Sequence, residues 1–311
     1  MDKLLYMFPE RIQKKLMDLP LELRKNIQEI RLRVNFPIEI NIGYKYKWLD
    51  GLNFNKYDAE YLLNQISQHS LYRLENELKQ GFITISGGHR IGITGTTVLE
   101  ENKIKTIKHI SSFNIRIARA KLGIAKPFLS YVYNESFLNT MIVGVPQTGK
   151  TTLLRDFARE IGSDNSITRA SKVGIVDERS EICGSHNGIA QHSLGDRFDF
   201  IDACPKAEGM MILIRSMSPE VIFVDEIGSE KDAIAIEEAT HAGVKIFCTV
   251  HGKDLSDIRK RPNVKSLIDH KVFERYIIMN NRTESSGISD ILQEDGKSIM
   301  PSKISIINQR N

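Results

Sequence analysis

Between the apolar run Thr140-Met-Ile-Val143 and the helical pattern of Thr151–Ile161, the chain reads Gly144-Val145-Pro146-Gln147-Thr148-Gly149-Lys150-Thr151-Thr152. A strand, a glycine-rich turn and a helix start, in that order, make a phosphate-binding loop. Gly144 and Gly149 permit backbone angles that a side chain would forbid, so successive N–H groups can converge on an anion. The helix N-terminus adds its partial positive charge at the same spot. Lys150 is expected to reach the β- and γ-phosphates of ATP, and the Thr151 hydroxyl to ligate Mg2+. Pro146 has no N–H, so the anion must be held mainly by the residues after it. Residues 144–152 are thus the expected nucleotide-binding set.

The surrounding pattern fixes the fold class expected. From about Leu138, short apolar strands (TMIVGV, VGIVD, VIFVD, KIFCTV) alternate with helical segments at Thr151–Ile161, Ala207–Met217 and Lys231–Ala242. All four strands are apolar on both faces, as in a mostly parallel sheet covered by helices, so the domain is α/β. One strand ends in two acids, Val221-Ile-Phe-Val-Asp225-Glu226. Asp225 is placed to hold Mg2+, beside the strand of the phosphate loop. Glu226 is the candidate to polarise an attacking water; the bland alternative is a salt bridge to a nearby Arg or Lys.

The preceding stretch reads as a smaller α+β domain. Phe8-Pro9 leads into an amphipathic helix through Leu16, and Leu21–Ile27 continues helically. EIRLRV and PIEINI alternate with period two, as do the halves of a hairpin around Gly87-Gly88. Tyr61–Leu78 has helical spacing, KIKTIKHIS and FNIRIAR read as two further strands, and Lys126-Pro127 starts a helix. The expected division is 1–135 for this domain, 136–285 for the ATPase domain and 286–311 for a polar carboxy-terminal tail; the polar stretch from Asn281 reads as a loose strand pair or a tail.

Composition narrows the class further. With 41% hydrophobic and 26% charged residues, the 311-residue chain has the profile of a globular protein. A net charge of +4 is too mild to argue for nucleic acid. Its basic clusters (residues 11–15, 24–33 and 103–108) read as solvated faces. Cys183, Cys204 and Cys248 are odd in number and widely spaced, which suggests reduced thiols in a cytoplasmic protein. Cys183 and His186 have a C-x-x-H spacing without a second ligand pair, a poor start for a zinc site. No secretory signal or membrane-length apolar run is visible, so membrane attachment is expected only through partners.

The segments KVGIVDERSEI, CPKAEGMMILIRSMSPEVIFVDEIG and IFCTVHG, with GHRIGITGTTV and FNIRIAR before the loop, resemble the stage III sporulation protein AA family. That family is related to the type II and type IV secretion and pilus-retraction ATPases. The resemblance implies a RecA-like motor ATPase that forms a homo-oligomeric ring, for which a hexamer is one candidate size. It implies an acidic box at Asp177, Glu178 and Glu181, a Walker B strand ending at Asp225-Glu226, and a histidine box at His251. Glu178 and Glu226 are then the candidate catalytic acids, and His251 a sensor of phosphate; without the resemblance, a loop histidine bonded to a backbone carbonyl fits as well. Arg116 and Arg119 match arginines that reach the nucleotide phosphates in the relatives. Arg179, Arg197, Lys206 and Arg215 are further basic candidates that the sequence does not rank. Two positions depart from the pattern: Asp225 stands where the relatives often have Gly, and the box reads Glu178-Arg179 in place of Asp-Pro. The implied partners are membrane proteins of a secretion channel between mother cell and forespore. Two rival functions stay open. One is a nucleic-acid-dependent ATPase, for which Tyr44, Tyr46 and Trp48 interleaved with Lys45 and Lys47 are the best feature; it needs the aromatics and lysines on one face. The other is a scaffold that binds nucleotide without turnover.

Overall fold

Period-two alternation organises the first half of the chain. In Glu29–Arg33 (β1), Ile30 and Leu32 are buried while Glu29, Arg31 and Arg33 take the opposite face. The computed structural model describes residues 1–43, 45–67, 78–79, 81–101, 103–118, 121–280 and 287–300. The chain divides into two compact units, Met1–Arg119 with Gly184–Gln191, and Ala120–Cys183 with His192–Asn311.

In the first unit, helices Glu10–Met17 (α1) and Leu21–Asn26 (α2) precede β1, Phe36–Ile42 (β2) and Lys45–Phe54 (β3). Helix Lys56–Ser67 (α3) and strands Phe82–Ile85 (β4), His89–Glu100 (β5) and Lys103–Arg116 (β6) follow. The strands form one antiparallel sheet in the order β3-β2-β1-β6-β5-β4. Phe8, Ile12, Leu16, Ile30, Ile91, Phe113 and Ile115 share its core. The two strands expected between Lys103 and Arg119 are one, and a bulge absorbs the break between them. The β5–β6 register shifts between Thr94 and Thr96, and His109 has φ +46°. The helix expected at Tyr61–Leu78 starts earlier, at Lys56; residues 68–77 lie outside the described residues. Segment Gly184–Gln191 was not expected in this unit. It is tied there by the Gly87 N–H donating to Gln191 Oε1 at 2.9 Å and by His186 Nδ1, 3.2 Å from the Thr84 carbonyl.

The second unit opens with a 3-10 turn at Lys126–Tyr131 and a short hairpin, Tyr133–Asn134 (β7) with Ser136–Phe137 (β8). Thr140–Gly144 (β9), helix Lys150–Ile161 (α4), Val173–Asp177 (β10) and Phe198–Asp202 (β11) come next. Helix Lys206–Met217 (α5), Val221–Val224 (β12), helix Glu230–His241 (α6) and Lys245–His251 (β13) continue the alternation. Helices Leu255–Ile258 (α7) and Pro262–Asp269 (α8) and strands Arg275–Met279 (β14) and Ile288–Gln293 (β15) complete it. The sheet order is β11-β10-β12-β13-β9-β14-β15, parallel except for β15. The expected α/β fold with a mostly parallel sheet is present.

Several boundaries differ from expectation. The units part after Arg119, not at residue 135. The carboxylate of Asp156 on α4 accepts the Gly123 and Ala125 N–H groups at 3.1 and 2.8 Å, which binds the connecting segment to the second unit. Residues 288–293, expected as a tail or part of a loose strand pair, form edge strand β15, in which a shift of the β14–β15 register lets both Ile288 and Ile291 be buried, paired with Met279 and Ile277. Strands β11 and β14 were missed. The first is a half-buried edge strand, and the second is a five-residue, mostly apolar run. Among the described residues no helix is long and apolar enough to cross a membrane.

Phe247, on β13, is fully buried and packs its ring against Phe223 (5.0 Å between centroids), Phe157 (5.6 Å) and Phe137 (6.4 Å). Replacing it with Ala removes a large central side chain and leaves a cavity, at a cost of about 3–5 kcal/mol. Urea unfolding of the Phe247→Ala protein should show that loss; a change below about 1 kcal/mol would mean that the aromatic cluster does not carry this core.

Candidate active site

A parallel sheet presents the carboxyl ends of its strands along one edge. Here β10, β12, β13 and β9 lie side by side and end at Asp177, Val224, His251 and Gly144. His251 is the register partner of Gly144, and the Gly252 N–H donates to the Gly144 carbonyl at 3.3 Å. One expectation is corrected: the strand before Asp225-Glu226 does not lie beside the strand of the phosphate loop. Strand β13 stands between them.

The loop curls tightly because its glycines allow it. A Cβ at Gly144 would come within 2.6 Å of Thr148 Oγ1 and 3.2 Å of the Met279 carbonyl, so no side chain fits. Gly149, with φ +97°, turns the backbone into α4. Inside the curl, Thr148 Oγ1 donates to the Val145 carbonyl at 2.9 Å. Lys150 is only 5% exposed, and its Nζ donates to the same carbonyl at 3.1 Å and lies 3.1 Å from His251 Nδ1. Burial lowers the Lys150 pKa, while the Asp225 and Glu226 charges oppose that shift.

On the first turn of the loop's helix, the Thr151 hydroxyl donates to Asp225 Oδ2 at 2.7 Å. The other Asp225 oxygen accepts from the Thr249 hydroxyl. Burial raises the Asp225 pKa against these two donors. Glu226 has a left-handed backbone, φ +52°. Its Oε1 lies 2.9 Å from His251 Nε2, and its Oε2 accepts from Arg179 Nη1 at 2.8 Å. A single neutral tautomer of His251 satisfies both contacts, with Nδ1 accepting from Lys150 and Nε2–H donating to Glu226. Lys150, His251, Glu226 and Arg179 therefore form one polar chain across the edge. Both sequence alternatives for Glu226 meet here, since it sits at the strand end and carries a salt bridge.

The acidic box divides by role. Asp177 is 2% exposed and accepts the N–H groups of Glu181 (2.8 Å), Ile182 (3.0 Å) and Cys183 (2.7 Å), so it shapes the following turn. Burial pushes its pKa up to about 6, against those three donors. Arg155 on α4 holds the same turn from below through the carbonyls of Glu181 and Ile182. Glu178 pairs with Lys206, and both line a narrow cleft with Arg179, Glu181, Asp225 and Glu226.

Of the four unranked basic residues, Arg179 and Lys206 are thus at the candidate site. Arg197 and Arg215 are not. Arg197 precedes the start of β11 and donates to the Ala170 carbonyl, while Arg215 bonds Met211 on the last turns of α5, which lead to the start of β12. Both belong to the opposite edge of the sheet. Arg116 is exposed at the end of β6 in the first unit, with Glu29 and Arg90 as its register partners, and Arg119 lies outside the described residues. Cys183 and Cys248 are buried free thiols and Cys204 is half-buried. Tyr46 and Trp48 pack edge to face on β3, so strand alternation puts Lys45 and Lys47 on the other face; Tyr44 lies outside the described residues. Aromatics and lysines on one face, which the nucleic-acid rival needs, are not found there.

Thr249 and Arg155 were missed from sequence. Thr249 left a faint signal, a hydroxyl within the otherwise apolar run Ile246–Val250. The donor set fits a magnesium nucleotide. Thr151 and Asp225 offer hard oxygens to a cation, Lys150 is aimed into the loop, and the Gly144 cradle would be filled by any side chain.

The sequence pattern of the family described as "Sporulation stage III, protein AA" matches residues 2–299. Stage III sporulation protein AA of Bacillus subtilis (strain 168) is 46% identical over 296 residues, covering 95% of this chain and 96% of that one. Among solved structures, the ATPase DotB of Legionella pneumophila superposes with a TM-score of 0.61 at 13% identity, covering 98% of this chain and 84% of its own. The pilus retraction motor PilT, solved with bound ADP, gives 0.62 at 16% identity, with 96% and 84% covered. At these identities the two structures speak for the fold, a P-loop ATPase fold with an amino-terminal domain. By sequence, over nearly its whole length, the chain belongs to the stage III sporulation protein AA family.

Proposed function

We propose that this protein binds and hydrolyses ATP with Mg2+, acts as a homo-oligomeric ring, and energises or assembles a secretion channel between mother cell and forespore. The observation that carries the enzymatic part is the Thr151–Asp225 hydrogen bond, with Glu226 next in the chain. It brings a loop hydroxyl and a strand-end carboxylate together where a phosphate loop needs its metal ligands. The channel role rests on family membership and on a fold shared with a pilus-retraction motor.

In this mechanism Lys150 gives up the Val145 carbonyl and His251 for phosphate oxygens. Thr151 and Asp225 would hold the metal, which would neutralise charge on the phosphates. Glu226 accepts the proton of the attacking water once Arg179 releases its second oxygen, and His251 keeps the first oxygen oriented. Lys206 holds Glu178 beside the cleft as a second acid. Arg116 and Arg119, supplied within the ring, add positive charge at the phosphates as arginine fingers do. Membrane proteins of the channel are the partners that localise it.

Lys150→Ala should abolish ATP binding without unfolding the protein, because no neighbouring cation replaces the lost charge. Isothermal titration with ATP and Mg2+ checks this, and unchanged affinity would sink the phosphate-loop assignment. Glu226→Gln keeps the side-chain size and removes the base, so ATP should still bind while turnover falls about a hundredfold. If Glu226→Gln turns over normally and Glu178→Gln does not, the base lies in the acidic box. His251→Ala should leave ATP affinity nearly unchanged and slow turnover. Weaker binding with a normal maximal rate would make His251 a plain phosphate ligand instead.

A further inference from the structure

We propose that Thr249 is a positioning residue of this site, setting both the metal-facing oxygen of Asp225 and the backbone turn that aims Glu226; the proposal rests on the ATPase function above. Thr249 is fully buried on β13, the strand between the phosphate loop and the acid-bearing strand. The β12–β13 ladder ends at the pair Val224–Cys248, so Thr249 is the next residue past its end. From there it makes three bonds to three successive residues. Its hydroxyl donates to Asp225 Oδ1 and accepts the Glu226 N–H at 2.8 Å, and its carbonyl accepts the Ile227 N–H at 3.0 Å.

Each bond has a consequence for the acids. A hydroxyl has one proton, and here it goes to Asp225, leaving a lone pair for the Glu226 N–H. With Oδ1 held, Oδ2 alone faces Thr151, so the carboxylate cannot rotate away from the candidate metal position. The left-handed backbone of Glu226, φ +52°, is unfavourable for a side chain with a Cβ and persists only where its surroundings impose it. The N–H bonds on either side of that kink, at Glu226 and Ile227, both end on Thr249. Valine has the same shape and lacks both hydroxyl bonds. It would leave Asp225 free to turn and the Glu226 N–H without its partner, while the phosphate loop and Lys150 stay as they are.

The test compares full-length wild type, Thr249→Val and Thr249→Ser for turnover against ATP and against Mg2+, with nucleotide binding measured by titration. Loss of an outer partner of a metal ligand costs about 10–100-fold in metal affinity or activity. Thr249→Val should therefore lower kcat about 10–100-fold and raise the Mg2+ concentration for half-maximal rate about tenfold. ATP affinity without Mg2+ should stay within about threefold of wild type, since Lys150 and the loop are untouched. Thr249→Ser, which keeps the hydroxyl, should recover most of the rate. A valine variant with wild-type kcat and Mg2+ dependence overturns the proposal. A uniform fall in ATP binding, with kcat and Mg2+ dependence unchanged, overturns it as well. If the valine variant does not fold, Thr249→Ser and Thr249→Cys decide: loss in Cys alone supports the role, and equal rates overturn it. Wild-type protein that neither binds nor hydrolyses nucleotide overturns the ATPase function and this proposal with it, whereas a normal wild type beside an unaffected valine variant overturns only the proposal.

Discussion

The hydrogen bond from Thr151 to Asp225, 2.7 Å long across 74 residues of sequence, is the contact on which the geometry of this edge depends. Its donor is on the first turn of α4, after a loop that only glycine at 144 lets curl so tightly. Its acceptor lies at the end of β12, two strands from β9. The two can meet because β12, β13 and β9 are parallel: Val224 pairs with Cys248 and Cys248 with Met141, so Asp225 runs on toward the level of the His251–Gly144 pair. A slip of one residue in β13 would turn its side chains over and carry Thr249 away from both acids. The apolar packing around Phe247, on the same strand, therefore bears directly on the site.

The same edge concentrates negative charge. Asp177, Glu178, Glu181, Asp225 and Glu226 line one cleft, and burial raises the pKa of Asp177 and Asp225. Like charges held this close need cations or hydrogen-bond donors. Lys206 answers Glu178, Arg179 answers Glu226, backbone N–H groups answer Asp177, and hydroxyls answer Asp225. Lys150 is satisfied too, by the Val145 carbonyl and His251. Binding a magnesium nucleotide would then exchange one set of polar partners for another, and the buried lysine would not go unpaired at any stage.

Family membership and geometry support different parts of the functional argument. Identity of 46% over nearly the whole chain establishes the family, whose name places its relatives in sporulation. It does not by itself say which carboxylate does what. That division comes from position: Asp177 is consumed by backbone N–H groups, Glu178 by Lys206, and Glu226 stands next to the candidate metal-ligand pair with a histidine on one oxygen.

Local sequence was enough for the elements whose signal is local. The loop is legible because glycine spacing and a following helix are properties of nine adjacent residues. The apolar strands β9, β10, β12 and β13 are legible because burial on both faces leaves their interiors almost wholly apolar. Edge strands were harder, since β11 and β15 are half-buried and alternate weakly, and a polar run such as residues 286–300 reads equally as a tail or a loose strand pair until a sheet accepts it. Strand order was also beyond reach, because periodicity says which residues face a core and not which strand is next to which. Only the folded sheet placed β13 between the loop and the acids. That order made Thr249 a partner of both acids, paired Arg179 with Glu226, and left Arg197 and Arg215 at the far edge. Sequence determined the chemistry available; the tertiary structure decided which groups meet, because the meeting distances are set by strand order and register.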